Sequence, residues 1–403
     1  MILRTALKNI RNNFLLNLIT CLQMAAAMIV TAILVSSILL RFQYYKPLEK
    51  YYSANGIYGI FSPFALDHSS NFLDDDSLKK ELDNPIDVIG SGYILASLPD
   101  EKPCQSFAYT DNLVQSFTPD LAKGRWLSAA NQTKTLECVV SQNDYGWDVG
   151  DDIEISFLLR EGVGTYHFQI VGLLNENAKI PGSYYNNNAD INFMQFYRTY
   201  SFETEEEPAI LMNLESLKNL PDGMSIVSGM NCGYIITYPD STSNEKLETE
   251  CRKLASFGSV VSVPLQTIRP NHTRYLYRQT YDQLPIIIVL LILTCVSCIS
   301  SSAITTRSRL HDYSIYYVCG LQWKHCTLIN LVQSLICGTV SFLTSLSVLK
   351  MIKLIPQLQQ FRVIWSWYTA GGMAAVLVIY IIASFIMPKI IIGHNTPKQI
   401  LSR

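Results

Sequence analysis

Charge is scarce in this sequence. Only 16% of its 403 residues are charged, against about 25% in an average soluble domain, while 49% are hydrophobic. That deficit marks a membrane protein with a soluble part. An excess of either sign is missing too. The formal net charge is -2, which excludes the clustered basic surface that a nucleic-acid partner needs. The chain contains no G-x-x-x-x-G-K-S/T loop, whose backbone N–H groups would cradle nucleotide phosphates beside a lysine. ATP hydrolysis is therefore not expected of this chain. H-E-x-x-H and G-x-S-x-G are absent as well. No apolar segment carries an Asp, Glu, Lys or Arg at depth. Proton- or ion-coupled transport needs ionisable groups there, so the energy for any work has to come from elsewhere.

His68, His167 and His272 lie far apart without ligand spacing; each reads as a surface or internally satisfied histidine. Ten cysteines are present. Cys295 and Cys298 form a C-x-x-C inside an apolar run, with no second pair or nearby histidine, and read as small helix-packing residues. Cys104, Cys138, Cys232 and Cys251 fall in the soluble part, where an oxidising compartment would permit disulfides; their spacing leaves the pairing open. The acidic runs Asp74–Asp76 and Glu205–Glu207 read as solvated, the first preceding a helix whose dipole favours it.

What the chain has is four long apolar segments, at 14–40, 284–305, 326–349 and 365–388. Each supplies the roughly 20 residues a helix needs to cross a bilayer. The first is too long for a signal peptide and lacks a cleavage site before Arg41. Ahead of it, in residues 1–13, Leu3, Ala6, Leu7 and Ile10, continued by Phe14, recur at helical spacing among Arg4, Lys8, Arg11 and Asn12. That pattern describes an amphipathic helix lying in the membrane interface. Four spans put both termini on one side, with Arg307, Arg309, Lys324, Lys389, Lys398 and Arg403. The excess of Lys and Arg on that side predicts cytoplasmic termini. Lys350, Lys353 and Arg362 in the short outer loop of 350–364 weaken the asymmetry. Trp365, Trp367 and Tyr368 would anchor the outer interface. Pro285 suits the first turn of the second span. Asn330 and Gln333, polar residues within the third span, are expected to hydrogen-bond to neighbouring helices.

Residues 41–283 have an ordinary soluble composition and predict an extracytoplasmic α+β domain between the first and second spans. Strand-like runs fall at Val88–Leu98, Thr135–Ser141, Ile153–Leu159, Tyr166–Leu174, Ala209–Asn213 and Gly233–Tyr238. Residues Glu161–Gly164 predict a hairpin loop. Helices are predicted at Asp76–Leu82 and at Asn244–Ser256, with Ser243 as N-cap.

The loop of 306–325 carries the most information. It reads TRSRLHDYSIYYVCGL over Thr306–Leu321, which resembles the R-x-R-E-I-G-I-L-R-A-L-G-A motif of FtsX/MacB-like ABC permeases. Asp312 stands where that family has Glu, Ile315 falls on its second Ile, and Gly320 on its Gly. His311, Ser314 and Tyr317 depart from the pattern. Leu121–Ser128 is similar to the family's L-x-x-G-R-x-F-S, Asp148–Ile155 to its V-G-D-x-I-x-I, and Phe168–Leu174 to its F-x-I-V-G-V-L. The tail Pro397–Arg403 is similar to its terminal P-x-x-A-L-R. Residues 183–270 match weakly.

The resemblance implies a non-catalytic permease subunit in the cell membrane, either a homodimer or a heterodimer with a related permease. Its energy would come from a separate P-loop ABC ATPase that binds ATP and Mg, leaving this chain without a cofactor. The loop would be a cytoplasmic coupling helix, with Arg309, His311, Asp312, Ile315, Tyr316, Val318 and Gly320 serving the ATPase contact. Export of, or resistance to, a peptide or hydrophobic compound is the first expectation. Regulation of a cell-wall hydrolase and lipoprotein extraction are alternatives. A membrane-tethered receptor or ectoenzyme is the rival from another class, and it would need a convergent catalytic set.

Overall fold

The structure, a computed structural model, describes residues 2–61, 82–99, 102–132, 135–182, 191–200, 207–221, 223, 226–227, 232–256, 258–320, 322–352 and 363–393. The predicted helix at Asp76–Leu82, the acidic run at Asp74–Asp76, His68 and the C-terminal tail lie outside them, apart from Leu82. The chain divides into two compact units, one of residues 1–43 and 276–403, the other of residues 44–275.

In the first unit, α1 (Ile2–Asn12) is set off from α2 (Phe14–Tyr45) by a turn at Asn13. Ala6 of α1 is buried while Leu3 and Leu7 stay exposed, as an amphipathic helix with an apolar outer face requires. Four helices are long and apolar enough to cross a membrane among the described residues. They include α2, which continues past Arg41 into α3 (Glu49–Ser53) by way of a short 3-10 turn. The others are α7 (Leu265–Ser308), α9 (Trp323–Ile352) and α10 (Trp367–Gly393). Between α7 and α9 lies the short helix α8 (Leu310–Val318). Met24, Ala27, Met28 and Ala32 of α2 pack with Leu349 and Ile352 of α9 and Met373, Val376 and Tyr380 of α10. Small polar residues let the backbones approach. Ser341 and Ser345 donate to the carbonyls of Cys21 and Ala25 at 3.0 and 3.2 Å, as well as to their own preceding turn.

The second apolar segment does not start a helix at Leu284, and Pro285 is not in a first turn. Helix α7 begins at Leu265, with Pro285 deep inside it. Hydropathy marks where a helix is apolar, not where it is helical, and the polar stretch before Leu284 continues the same helix. Pro285 gives up one i→i−4 bond there.

The second unit is built on a twelve-stranded sheet in the order β14-β1-β13-β2-β5-β12-β7-β9-β8-β3-β4, with β6 added on β9. The strands are β1 (Gly56–Phe61), β2 (Asp87–Ile94), β3 (Ala96–Leu98), β4 (Lys102–Pro103), β5 (Gln105–Tyr109), β6 (Leu121–Gly124), β7 (Glu137–Val140), β8 (Asp152–Leu159), β9 (Gly162–Leu174), β12 (Ala209–Asn213), β13 (Cys232–Thr237) and β14 (Ser259–Pro264). A separate ribbon pairs β10 (Lys179–Pro181) with β11 (Tyr197–Thr199). Among the described residues the α-helices here include α3, α4 (Asp111–Ser116), α5 (Leu214–Lys218) and α6 (Asn244–Ser256), the last capped by Ser243 Oγ accepting from Lys246 N.

The predicted strand at Val88–Leu98 is broken at Leu95 into β2 and β3. Its first part pairs with β5 and its second with β8, so the sheet between them closes on itself. The enclosed core holds Ile94, Leu98, Ala108, Cys138, Val140, Ile155, Phe157, Phe168, Ile170, Ile210 and Met212. The β8–β9 hairpin turns at Arg160–Glu161, between Leu159 and Gly162, tighter than the predicted loop. Strands β1 and β14, the first and last of the unit, pair antiparallel with Ile57 opposite Pro264. Cys104, Cys138 and Cys251 are free thiols. The surroundings of Cys232's side chain lie outside the description.

Candidate functional site

Helix α8 has two unlike sides. Tyr313 and Ser314 are fully buried, and Tyr316 is half-buried. His311, Asp312, Ile315, Tyr317 and Val318 are exposed, with Val318 at 69%. Asp312 sits in the first turn, where a carboxylate complements the positive helix end. The helix closes with Cys319 N on the Ile315 carbonyl and Gly320 N on the Tyr317 carbonyl, both at 3.0 Å. Gly320 has φ +96°, the left-handed conformation that ends helices and that side chains resist. A Cβ there would meet open space, so only the backbone requires glycine.

Of the residues the resemblance assigned to the ATPase contact, Arg309 stands apart. It is 4% exposed and makes no surface for a partner. Its guanidinium donates from Nη1 to Gln333 Oε1 at 2.6 Å and from Nη2 to the Asn9 carbonyl at 2.9 Å. Gln333 passes the connection on, donating to Asn17 Oδ1 at 2.8 Å. Asn17 in turn donates to the carbonyls of Asn13 and Ile10. Four elements thereby converge: the start of α8, the end of α1, the start of α2 and the middle of α9. A parallel limb runs from Tyr313 Oη to Asn330 Oδ1 at 2.7 Å, and from Asn330 to Thr306 Oγ1 at 3.4 Å. Asn330 and Gln333 are buried and bond between elements within this unit.

Asn9, Asn17, Thr306 and Tyr313 did not stand out in the sequence. Asn17 carried a readable signal, as a polar side chain in an otherwise apolar span. The others carried none, because each becomes special only by meeting a residue far along the chain.

In the α+β unit the family-like segments come together on β9. Gly124 of β6 lies opposite Gly172 of β9. A Cβ on Gly124 would sit 2.4 Å from the Val171 carbonyl oxygen, and one on Gly172 would sit 2.3 Å from that of Arg125. The next residue, Arg125, clamps Glu137 with two hydrogen bonds of 2.6 and 3.0 Å, and Ser128 N donates to the same carboxylate. Burial works to raise the Glu137 pKa, but Arg125 and Ser128 outweigh it and hold it below the usual value. The turn Asp148–Asp151 is fastened to β9 by Gly150 N on the Ile170 carbonyl, with Gly150 at φ +101°. The group clasps the segment after β6 to β7 and β9.

Two further polar features sit in the same unit. Glu215 accepts from Asp111 N at 2.9 Å. Burial, reinforced by the neighbouring Asp111 carboxylate, pushes its pKa up to about 7. His272 is buried among Tyr52, Phe193 and Tyr45, with ring centroids 5.1 to 6.5 Å away. It was expected at the surface or satisfied, yet neither ring nitrogen has a hydrogen-bond partner among the described residues. No group of three or more metal-ligating side chains occurs among those residues.

No family model matches the sequence, and no curated protein matches it. Solved structures do resemble it, among them the following two. One is the extracellular domain of the ABC-type transporter YknZ from Gram-positive bacteria, at 13% identity and a TM-score of 0.29, covering 52% of this chain and 98% of that one. The other is the periplasmic region of MacB from Actinobacillus actinomycetemcomitans, at 11% identity and a TM-score of 0.30, covering 55% and 94%. Both are extracytoplasmic regions of those proteins.

Proposed function

We propose that this chain is the membrane-spanning permease subunit of an ABC-type complex, and that it passes the motion of a separate ATPase to an extracytoplasmic domain. In this reading the α+β unit, inserted between the first and second spans, lies outside the cell and both termini lie in the cytoplasm. ATP and Mg belong to the partner. The chain works as a dimer, with itself or with a related permease. Its cargo is a peptide or hydrophobic compound that meets the α+β unit.

The observation that carries the reading is the two-sidedness of α8. A nine-residue helix that buries Tyr313 and Ser314 yet leaves Ile315, Tyr317 and Val318 open, with Asp312 beside them, has the form of a small plug for a protein groove. Exposed apolar groups gathered on so short a helix mark a contact surface better than a plain connection. The expected partner is a P-loop ATPase, recovered in stoichiometric amount when the tagged full-length protein is purified gently from its own membranes and analysed by mass spectrometry. Asp312→Arg combined with Ile315→Glu is expected to reduce that recovery at least about tenfold, as removing a central apolar anchor does. Recovery that is unaffected by the double substitution would remove α8 from the interface. A wild-type sample without any ATPase would end the proposal as a whole.

A further inference from the structure

We infer that Arg309 is a positioning residue that latches α8 to α1 and α2, so that a displacement of α8 is delivered to the N-terminal helix and the first span as well as to α7 and α9. The role in transmission rests on the reading of α8 as the docking helix; the latch itself does not.

A buried guanidinium is costly unless its charge is answered. Among the described residues no carboxylate pairs with Arg309. Its charge is met instead by an amide oxygen, Gln333 Oε1, and by the carbonyl of Asn9. Asn9 belongs to the last turn of α1, the end of a helix that carries partial negative charge. The donors of lysine all radiate from one nitrogen; the planar fork of arginine serves two acceptors from two nitrogens set apart in space. The location gives the arrangement its consequence. Arg309 is the single residue between α7 and α8, and its own carbonyl accepts the first turn of α8 through Tyr313 N at 2.9 Å. Its backbone therefore moves with the coupling helix while its side chain holds α1. Through Gln333 the same network reaches Asn17, just beyond the turn that joins α1 to α2. Neutral acceptors suit a joint that has to shift: they hold a cation more weakly than a carboxylate does.

Hydrogen–deuterium exchange of the full-length protein in lipid nanodiscs tests the latch directly. Arg309→Met is expected to speed exchange in residues 2–12 about tenfold, through local release of α1, while the sheet amides of the α+β unit keep wild-type rates. Gln333→Leu is expected to reproduce the effect. The double substitution should add little to either single one, since the two act on one contact. Arg309→Lys should recover only part of the protection. Unchanged exchange in residues 2–12 for Arg309→Met would overturn the latch, and so would additive effects of the two substitutions. Faster exchange in the sheet as well would show general unfolding; Gln333→Leu then decides, and unchanged α1 exchange in it overturns the latch. With the ATPase bound, Arg309→Met should leave partner recovery within about twofold but lower the ATPase response to the permease about tenfold, a loss of motion without loss of binding. Recovery that falls along with the response would make Arg309 part of the docking surface and overturn the transmission role. If the wild type recovers no ATPase, the docking reading fails by itself, and the exchange measurement still decides the latch.

Discussion

Gly124 and Gly172 lie back to back, and neither has room for a methyl group. Gly124 carries the additional demand of φ +78°. A left-handed residue with a side chain costs about 1–2 kcal/mol before any clash, and the Val171 carbonyl oxygen 2.4 Å from the would-be Cβ adds to that. Gly124→Ala is expected to lower the thermal midpoint of the full-length protein by about 4–8 °C, on the scaling for domains of this size; an unchanged midpoint would show that β6 can detach from β9 without cost. Glu215 supplies a prediction of the opposite kind. Its carboxyl is held at about 7 instead of its ordinary 4.5, so the folded chain keeps a proton that the unfolded chain has already released. The contribution of Glu215 to stability is then complete at low pH and declines as pH rises from about 4.5 to about 7. Glu215→Gln keeps the shape without the charge. It is expected to flatten the pH dependence of the thermal midpoint across that window, raising the midpoint near neutral pH relative to the wild type. Equal slopes in the two proteins would mean that the carboxyl is ionised throughout. The glycines of the family-like segments were visible in the sequence, but their mutual approach was not, because it joins residues nearly fifty positions apart. Glu215 gave no sign at all: its neighbour Asp111 is brought in by β12 pairing parallel to β5.

Elements were legible where a single physical signal governed them. The apolar spans were, and so was α6, whose Ser243 cap and amphipathic spacing agree. Strands β8, β9 and β12 were read from apolar alternation or from an unbroken apolar run. Strands β1, β5 and β14 were not, because GIYGIF, QSFAY and SVVSVP are short and diluted with glycine and serine; their strand character comes from the strands they pair with. The start of α7 was misread for a related reason, hydropathy reporting the apolar part alone. Helix α8 had a readable end, since Gly320 closes it with φ +96°. Gly320→Pro cannot adopt a positive φ and removes the N–H that reaches Tyr317. The variant is expected to remain in the membrane yet fray the last turn of α8 and lose ATPase stimulation. Retained stimulation at the wild-type level would show that the end of α8 does not bear on the partner.

At the scale of the molecule, four long apolar helices and a separate α+β unit were legible because composition changes sharply between them. The closure of the sheet was not. It depends on a single strand that bends at Leu95 and pairs on both sides, and no local pattern announces a strand with two partners in succession. The Arg309 network escaped for the same reason on a longer reach, joining positions 9 and 309 by one hydrogen bond.

The pairing of β1 with β14 has a mechanical consequence. The α+β unit is entered through the first and left through the last, and Ile57 faces Pro264 at their common end. A tension that separates those two ends loads the ladder one rung at a time, as a zip is opened. A tension that slides one strand along the other loads every rung together and is resisted stiffly. The direction of a pull, more than its strength, therefore decides whether the rungs of this pair bear it in turn or together.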